Sequence, residues 1–249
     1  MIRDRRLVDQ RLDELADDDV AACHRVAACE LLSSALDAIG RRLRADGLRH
    51  GSLGGEVPPT DLSVREVNGL GTLAKIGAEL ARGAIALLRA DNLYAAGALV
   101  RQHVEVEFLA RAFAIDHQVV STWLGSGRGE RSDFWSPDGR SRRVGNGLLA
   151  DDYTRHCEVG GYPTMRAARL LPGPARTRPA EVWVDLAGHL DTTLQHVIAA
   201  TERLHSSTSA ASWNLPEVGR AIDDWRRTDG LVVALQDLAE MRRSDASLD

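Results

Sequence analysis

Two histidines and an aspartate towards the C-terminal end have side chains that can bind metal ions or move protons. Asp185, His189, His196 and Arg203 recur at a spacing that places them within about 40° of one another on an ideal helix. A metal ion here would need a further ligand from elsewhere, because His189 and His196 lie two turns, about 10 Å, apart. The spacing therefore favours a solvated polar face, and the sequence predicts neither a metal nor another cofactor.

A second group of reactive side chains surrounds a glycine-rich turn. The residues in order are Tyr153, His156, Cys157, Glu158, Gly160, Gly161, Tyr162 and Pro163. Adjacent residues on a helix point in different directions, so we expect neither a metal site nor a nucleophilic Cys–His pair from them. Two glycines permit a close backbone approach, and Pro163 can start the next helix. A structural use of the turn is therefore expected.

The helix predicted over residues 91–116 carries charged groups between apolar faces. Arg101 and Glu105 are four residues apart and can pair, whereas His103 shares a stripe with Leu99 and Val106 and is predicted to be buried. Because burying unpaired charges is costly, we expect the glycine-rich turn to pack beside this helix. The candidate polar cluster comprises Arg101, Glu105, Tyr153, His156, Glu158 and Tyr162. This cluster is either a structural network or a site that binds a small anion or a nucleotide end through Arg101.

Positive charge is concentrated in the middle of the chain. Residues 126–178 contain ten arginines and six acidic residues, in a protein whose net charge is -5. The candidate anion-binding residues are Arg140, Arg142 and Arg143. Such a basic patch can attract an anionic partner, including RNA, or can pair with the acidic remainder of the protein. The sequence contains no P-loop, dinucleotide-binding glycine motif, HExxH motif or paired CxxC motif.

The composition favours helices throughout. The chain contains 34 alanines and 32 leucines, both strong helix formers, and no stretch alternates cleanly with the period of a strand. We therefore predict an all-α multi-helix bundle, a single domain over residues 1–249 with a long loop or insertion at 125–147. Periodicity and capping residues predict helices over about 4–16, 20–45, 63–89, 91–116, 119–124, 180–205, 216–227 and 229–243.

Cysteine usage and apolar patterning suggest a cellular compartment. Cys23 and Cys29 are too far apart on one helix to bridge, and Cys157 is the third cysteine. Free thiols and the lack of a visible signal peptide predict a cytoplasmic protein. The apolar run near residues 84–88 is far shorter than the roughly 18 residues of a membrane span, so no membrane association is expected.

Residues 85–172 resemble a group of uncharacterised bacterial all-helical proteins. The resemblance rests on Arg101-x-x-x-Glu105, on Phe134-Trp135-Ser136-Pro137 and on Tyr153-x-x-His156-Cys157-Glu158-x-Gly160-Gly161-Tyr162-Pro163. Tyr162 stands where that group has histidine. The group is distantly similar to the HEPN-like superfamily, which includes ribonucleases and toxin or defence components. The resemblance thus implies a HEPN-like or related helical bundle.

Two functional hypotheses follow. The first is a non-catalytic module that binds itself or another protein in a stress, regulatory or defence context. The alternative is a metal-independent HEPN-type ribonuclease acting on RNA at a dimer interface. HEPN ribonucleases use an Arg-x4–6-His motif, which is matched by Arg44 with His50 and by Arg111 with His117. About three such matches are expected by chance from 30 arginines and eight histidines, so these pairs do not decide between the hypotheses.

Overall fold

The computed structural model describes residues 5–52, 64–116, 118–136, 139, 153–161, 163–173, 176–204 and 216–246. All regular structure within these ranges is helical, which confirms the predicted all-α class. The helices are α1 (Arg5–Ala16), α2 (Asp19–Ser52), α3 (Val64–Arg89), α4 (Leu93–Ile115), α5 (Gln118–Gly125), α6 (Arg128–Trp135), α7 (Pro179–Leu204), α8 (Pro216–Thr228) and α9 (Gly230–Ala246). None of them is long and apolar enough to cross a membrane.

Four long helices, α2, α3, α4 and α7, surround the main apolar core. Helices α3 and α7 each contact both α2 and α4, and they also touch each other. Each of the four contributes fully buried side chains, among them Leu32, Leu36, Leu70, Ala78, Ala96, Phe108, Leu186 and Leu190. Burial of these side chains is the main force that holds the bundle together.

Glycines set the close approach of α2 and α3. A Cβ atom on Gly40 would lie 2.9 Å from the Gly71 carbonyl oxygen, and one on Gly71 would lie 2.9 Å from the Leu43 Cβ. A larger residue at either position would force the two backbones apart. This packing accounts for an α3 rich in glycine despite the low helix propensity of that residue.

The helix boundaries show where local signals were sufficient. Asn92 precedes the predicted helix and is a residue type that favours the cap position. It does cap α4, because its Oδ1 accepts a hydrogen bond from the Ala95 amide at 3.2 Å. Helix α2 was predicted to end near residue 45 but continues to Ser52 through Gly47. The Asn68 side chain of α3 occupies the space that a side chain at Gly47 would fill, so tertiary packing supports the extension.

The segment predicted as a loop over 125–147 begins with a helix. Residues 128–135 form α6, whose start is stabilised because the Gly127 amide donates a hydrogen bond to Glu130 at 2.7 Å. Phe134 is buried and packs edge-on against Phe108 with ring centroids 5.7 Å apart. The docking of Phe134, expected from the aromatic pair Phe134–Trp135 in this segment, provides the tertiary contact that supports the helix.

A candidate metal centre

Three potential metal ligands converge from two separate segments. His156 belongs to a helical turn at residues 153–156, whereas Asp185 and His189 lie one turn apart on α7. The His156 Nε2 lies 2.8 Å from Asp185 Oδ2, and the His189 Nε2 lies 3.7 Å from Asp185 Oδ1. One ligand atom from each residue can be chosen so that all three lie within 4.8 Å of one another. Two imidazoles and one carboxylate can therefore reach a common ion.

A buried carboxylate fixes the orientation of His189. Glu107, buried on α4, places its Oε2 2.6 Å from His189 Nδ1. When this imidazole is neutral, as metal binding requires, that contact favours the tautomer whose Nδ1 carries the proton and whose Nε2 lone pair faces Asp185. The two imidazole rings also pack edge to face, with centroids 4.8 Å apart between His156 and His189. Carboxylate, histidine and prospective ion thus form the chain found at many metal centres.

Asp185 is held in its ionised form. Burial would raise the pKa of this carboxyl, but the hydrogen bond from His156 and the nearby charges of His156, His189 and Arg155 lower it below its usual range. The Arg155 Nη2 donates to Asp185 Oδ1 at 3.0 Å. The carboxylate therefore presents negative charge where a cation would bind.

Two of the three residues, His156 and Asp185, line a cleft between α4, α7 and the C-terminal hairpin of α8 and α9. The cleft has a volume of about 550 Å³, and His156, Asp185 and Gly188 line it together with Trp225 and Val232. Its volume falls within the range of small-molecule sites, which run from roughly 300 to 1,000 Å³. A small ligand in the cleft would therefore lie next to His156 and Asp185, two of the three candidate metal ligands.

No protein-family model, curated protein or solved structure matches this chain. Its function must therefore be inferred from its own residues.

The prediction that Asp185 and His189 lie on a solvated face of α7 is wrong. His189 is only 9% exposed, and Asp185 contacts three other side chains. The cause lies outside α7, since the segment with His156 covers one part of this face and Glu107 of α4 meets another. The further ligand that a metal ion would need therefore comes from the segment with His156, and the spacing of residues along α7 could not reveal it.

The structure divides the predicted polar cluster into separate contacts. Arg101 donates to Glu105 at 2.5 Å and lies 3.4 Å from the Tyr153 hydroxyl, which donates to the same carboxylate at 3.3 Å. His156 instead contacts Asp185, and Glu158 pairs with the exposed Arg166. Tyr162 lies outside the described residues, as do the anion-binding candidates Arg140, Arg142 and Arg143.

The Arg101 contacts have clear electrostatic consequences. Burial alone would lower the pKa of the Arg101 guanidinium, but hydrogen bonds to the Cys157 thiol and the Tyr153 hydroxyl, with the charge of Glu105, raise it. Burial and the charge of Glu105 raise the pKa of Tyr153 to about 12, against the opposing effect of Arg101. Arg101 therefore stays charged and Tyr153 neutral at physiological pH.

A glycine brings the turn against α4. Residues Cys157–Gly161 form a π-helical turn, and a Cβ on Gly160 would lie 2.3 Å from the Gly97 carbonyl oxygen. The missing side chain thus lets two backbones touch, one turn before Arg101. This contact holds the preceding turn, with Tyr153 and His156, beside α4 and α7.

One contributor to the centre, Glu107, did not emerge from the sequence. Glu107 follows His103 by one helical turn on the same buried side of α4, so its burial requires a partner. Thr193, one turn after His189 on α7, contacts His103 instead, with its hydroxyl 3.1 Å from the His103 Nε2. The available signal was the apolar neighbourhood of Glu107 in the chain, because an acid between Val106 and Phe108 on a largely buried helix needs a partner.

His103 is fully buried, which confirms its predicted position. Burial and the charge of His189 lower its pKa to about 3, against a smaller opposing influence of the Gly77 and His189 backbones. Its imidazole is therefore neutral in the folded protein over the range in which a solvated histidine takes up a proton near pH 6.5.

We expect His103 to make the metal-free protein less stable as the pH falls from about 6.5 towards 3. In this window the unfolded chain binds a proton that the folded chain does not, so the free energy of unfolding falls with decreasing pH. Its contribution approaches about 1.4 kcal/mol per pH unit. Urea denaturation in a chelator should show a shallower pH dependence for His103→Gln than for the unmodified protein. Parallel pH profiles for the two proteins would contradict the assignment.

Proposed function

We propose that this protein is a metal-dependent enzyme that binds one divalent ion, zinc in the first instance, through His156, Asp185 and His189. The observation that carries the proposal is the convergence of their ligand atoms within 4.8 Å. Two imidazole nitrogens and one carboxylate oxygen suit zinc and other first-row divalent metals. Three protein ligands are also the number typical of catalytic zinc sites, which keep a position for water or substrate.

The surroundings of the three residues support a reactive rather than a purely structural ion. His156 and Asp185 line a cleft large enough for a small molecule, whereas structural zinc sites are closed by four protein ligands. A zinc ion lowers the pKa of a bound water to about 7 and so supplies hydroxide at neutral pH. We therefore propose hydrolysis of a small substrate as the reaction class.

This proposal departs from the expectation of a cofactor-free protein. His156 and Asp185 are 29 residues apart in the chain, so no local motif announces the ligand set. Partner binding and self-association stay predictions from the sequence, as does the ribonuclease alternative. In the HEPN-type pair Arg111 and His117, the histidine lies outside the described residues. Of these hypotheses, metal binding is the one supported by a specific arrangement of side chains.

Calorimetry with chelator-stripped protein tests the proposal. Zn²⁺ should bind with a stoichiometry of one to the unmodified protein, and His156→Ala should lose most of the affinity. His24→Ala is the matched control, since His24 is an exposed histidine on α2. Zinc-loaded protein should also hydrolyse small aryl esters or phosphate esters faster than His156→Ala does. Equal zinc affinity in all three proteins would refute the site, and zinc binding without any hydrolysis would refute the reaction class.

Glu107→Gln should weaken zinc binding by about 10- to 100-fold, the usual effect of losing a carboxylate that orients a ligating histidine. The glutamine side-chain oxygen can still accept a hydrogen bond from the His189 Nδ1–H group, but it does not supply the negative charge that makes the imidazole more basic. Competition with a chromophoric chelator measures the change. Glu105→Gln on the same helix is the control, because Glu105 pairs with Arg101 instead. An unaltered affinity in Glu107→Gln would contradict the orienting role.

A further inference from the structure

The walls of the cleft beside the candidate metal centre are largely apolar. They include Val100, Val159, Leu170, Val182, Trp225 and Val232. Trp225 is fixed in place, since its indole Nε1 donates to the buried Asp229 at 3.1 Å. Binding sites of this kind take the apolar body of a small molecule, while a few polar groups set its orientation.

The charged groups of the cleft determine what the polar end of that molecule must be. Two acidic residues line the cleft, Asp185 and Glu181, and two basic ones, Arg155 and Arg226. Glu181 is paired with Arg178, which lies outside the lining, at 2.7 Å. The Arg155 side chain is more than half exposed while its guanidinium donates to Asp185. A divalent ion at the three ligands would add two positive charges to a lining whose own charges balance.

We infer that the cleft binds a small molecule with an apolar body and an anionic oxygen group, either a carboxylate or a phosphate. The inference rests on the proposed metal centre. The anionic oxygens contact the ion and the Arg155 guanidinium, which stands beside His156 in the chain and already reaches Asp185. A planar guanidinium can bind both carboxylates and phosphates through paired hydrogen bonds. An amine at the same place would meet the excess positive charge.

Gly188 offers a direct way to fill the cleft without disturbing its walls. It lies on α7 between Asp185 and His189 and lines the cleft, and nothing lies within 4 Å of where its Cβ would be. A leucine at this position projects into the space that the apolar body would occupy. Gly188→Leu also replaces a poor helix former by a good one, so the helix itself is not weakened.

Calorimetric titrations at saturating Zn²⁺ test the inference with octanoate, octyl phosphate and octylamine as probes. Each variant is first titrated with zinc, so that failure of the metal centre is recorded separately. Octanoate or octyl phosphate should bind and octylamine should not, and the stronger of the two anions identifies the headgroup. Arg155→Gln should weaken the binding of the anion by about ten-fold or more, as expected for the loss of one hydrogen bond to a charged group.

Gly188→Leu should abolish binding of the anion, whereas Arg82→Gln should not alter it. Arg82 pairs with Glu79 on α3 and does not line the cleft. If zinc binds but neither anion does, the inference is overturned while the metal centre stands. Equal binding of octylamine, or unchanged anion affinity in Arg155→Gln and Gly188→Leu, overturns it as well. Failure of zinc binding overturns the proposed function and this inference together.

Discussion

Replacing Asp185 by asparagine is expected to weaken zinc binding by more than about 100-fold, beyond the upper range for residues that act behind a ligand. Asp185 is the only anionic group among the three proposed ligands, and the amide of asparagine removes that charge. The asparagine oxygen can still accept a hydrogen bond from His156, so the surrounding packing is preserved. Competition with a chromophoric chelator gives the affinity, and far-ultraviolet circular dichroism verifies the fold.

A second aspartate provides the control for this substitution. Asp224 on α8 is well exposed, and its carboxylate pairs with its helical neighbour Arg227. Asp224→Asn removes the same charge from the protein and should leave zinc affinity unchanged. If Asp185→Asn bound zinc as tightly as Asp224→Asn, the carboxylate would not be a ligand.

The largest loss of stability is expected for Arg25→Met, at about 3–5 kcal/mol. Arg25 is fully buried on α2 and makes two hydrogen bonds to Asp229, at 2.7 and 2.8 Å. Its guanidinium also donates to the carbonyl oxygens of Leu15 and Ala16, at 2.9 and 3.2 Å. One side chain therefore joins α1, α2 and the α8–α9 hairpin. Its removal leaves the Asp229 carboxylate buried without a counter-charge, and urea denaturation measures the cost.

Two further variants separate the ion pair from ordinary charge effects. Arg25→Met combined with Asp229→Asn leaves no charge at this position, and the asparagine Oδ1 can still accept the hydrogen bond that the Leu231 amide donates to Asp229 Oδ1. The double variant should therefore be more stable than Arg25→Met alone. Arg11→Ala removes an exposed partner of Glu14 and should change stability by less than about 1 kcal/mol. A loss of that small size in Arg25→Met would show that the buried pair does not hold the three elements.

The sequence predicts those features of the fold that are set by residues close together in the chain. Helical periodicity acts over a few turns, and it located the seven helices of 12 or more residues that the structure describes. Capping by Asn92 and the Arg101–Glu105 pair are equally local, and both are confirmed. The end of α2 was misplaced because α3, a separate element, supports the turns around Gly47.

The candidate metal centre depends on long-range contacts that periodicity does not encode. The Asp185–His189 spacing was visible, but Glu107 lies 82 residues from His189 and reaches it only through the packing of α4 on α7. The Arg25–Asp229 pair spans 204 residues and left no local signal either. Such pairs become predictable only once the order of helices around the core is known.

Crystals grown with Zn²⁺ and measured at the zinc absorption edge test the central claim most directly. The account predicts an anomalous difference peak between His156 Nε2, His189 Nε2 and a carboxylate oxygen of Asp185, at about 2.0–2.2 Å from each. Glu107 should remain in contact with His189 Nδ1 in that structure. Zinc peaks found only at other positions, with the Asp185–His156 contact unchanged, would contradict the account.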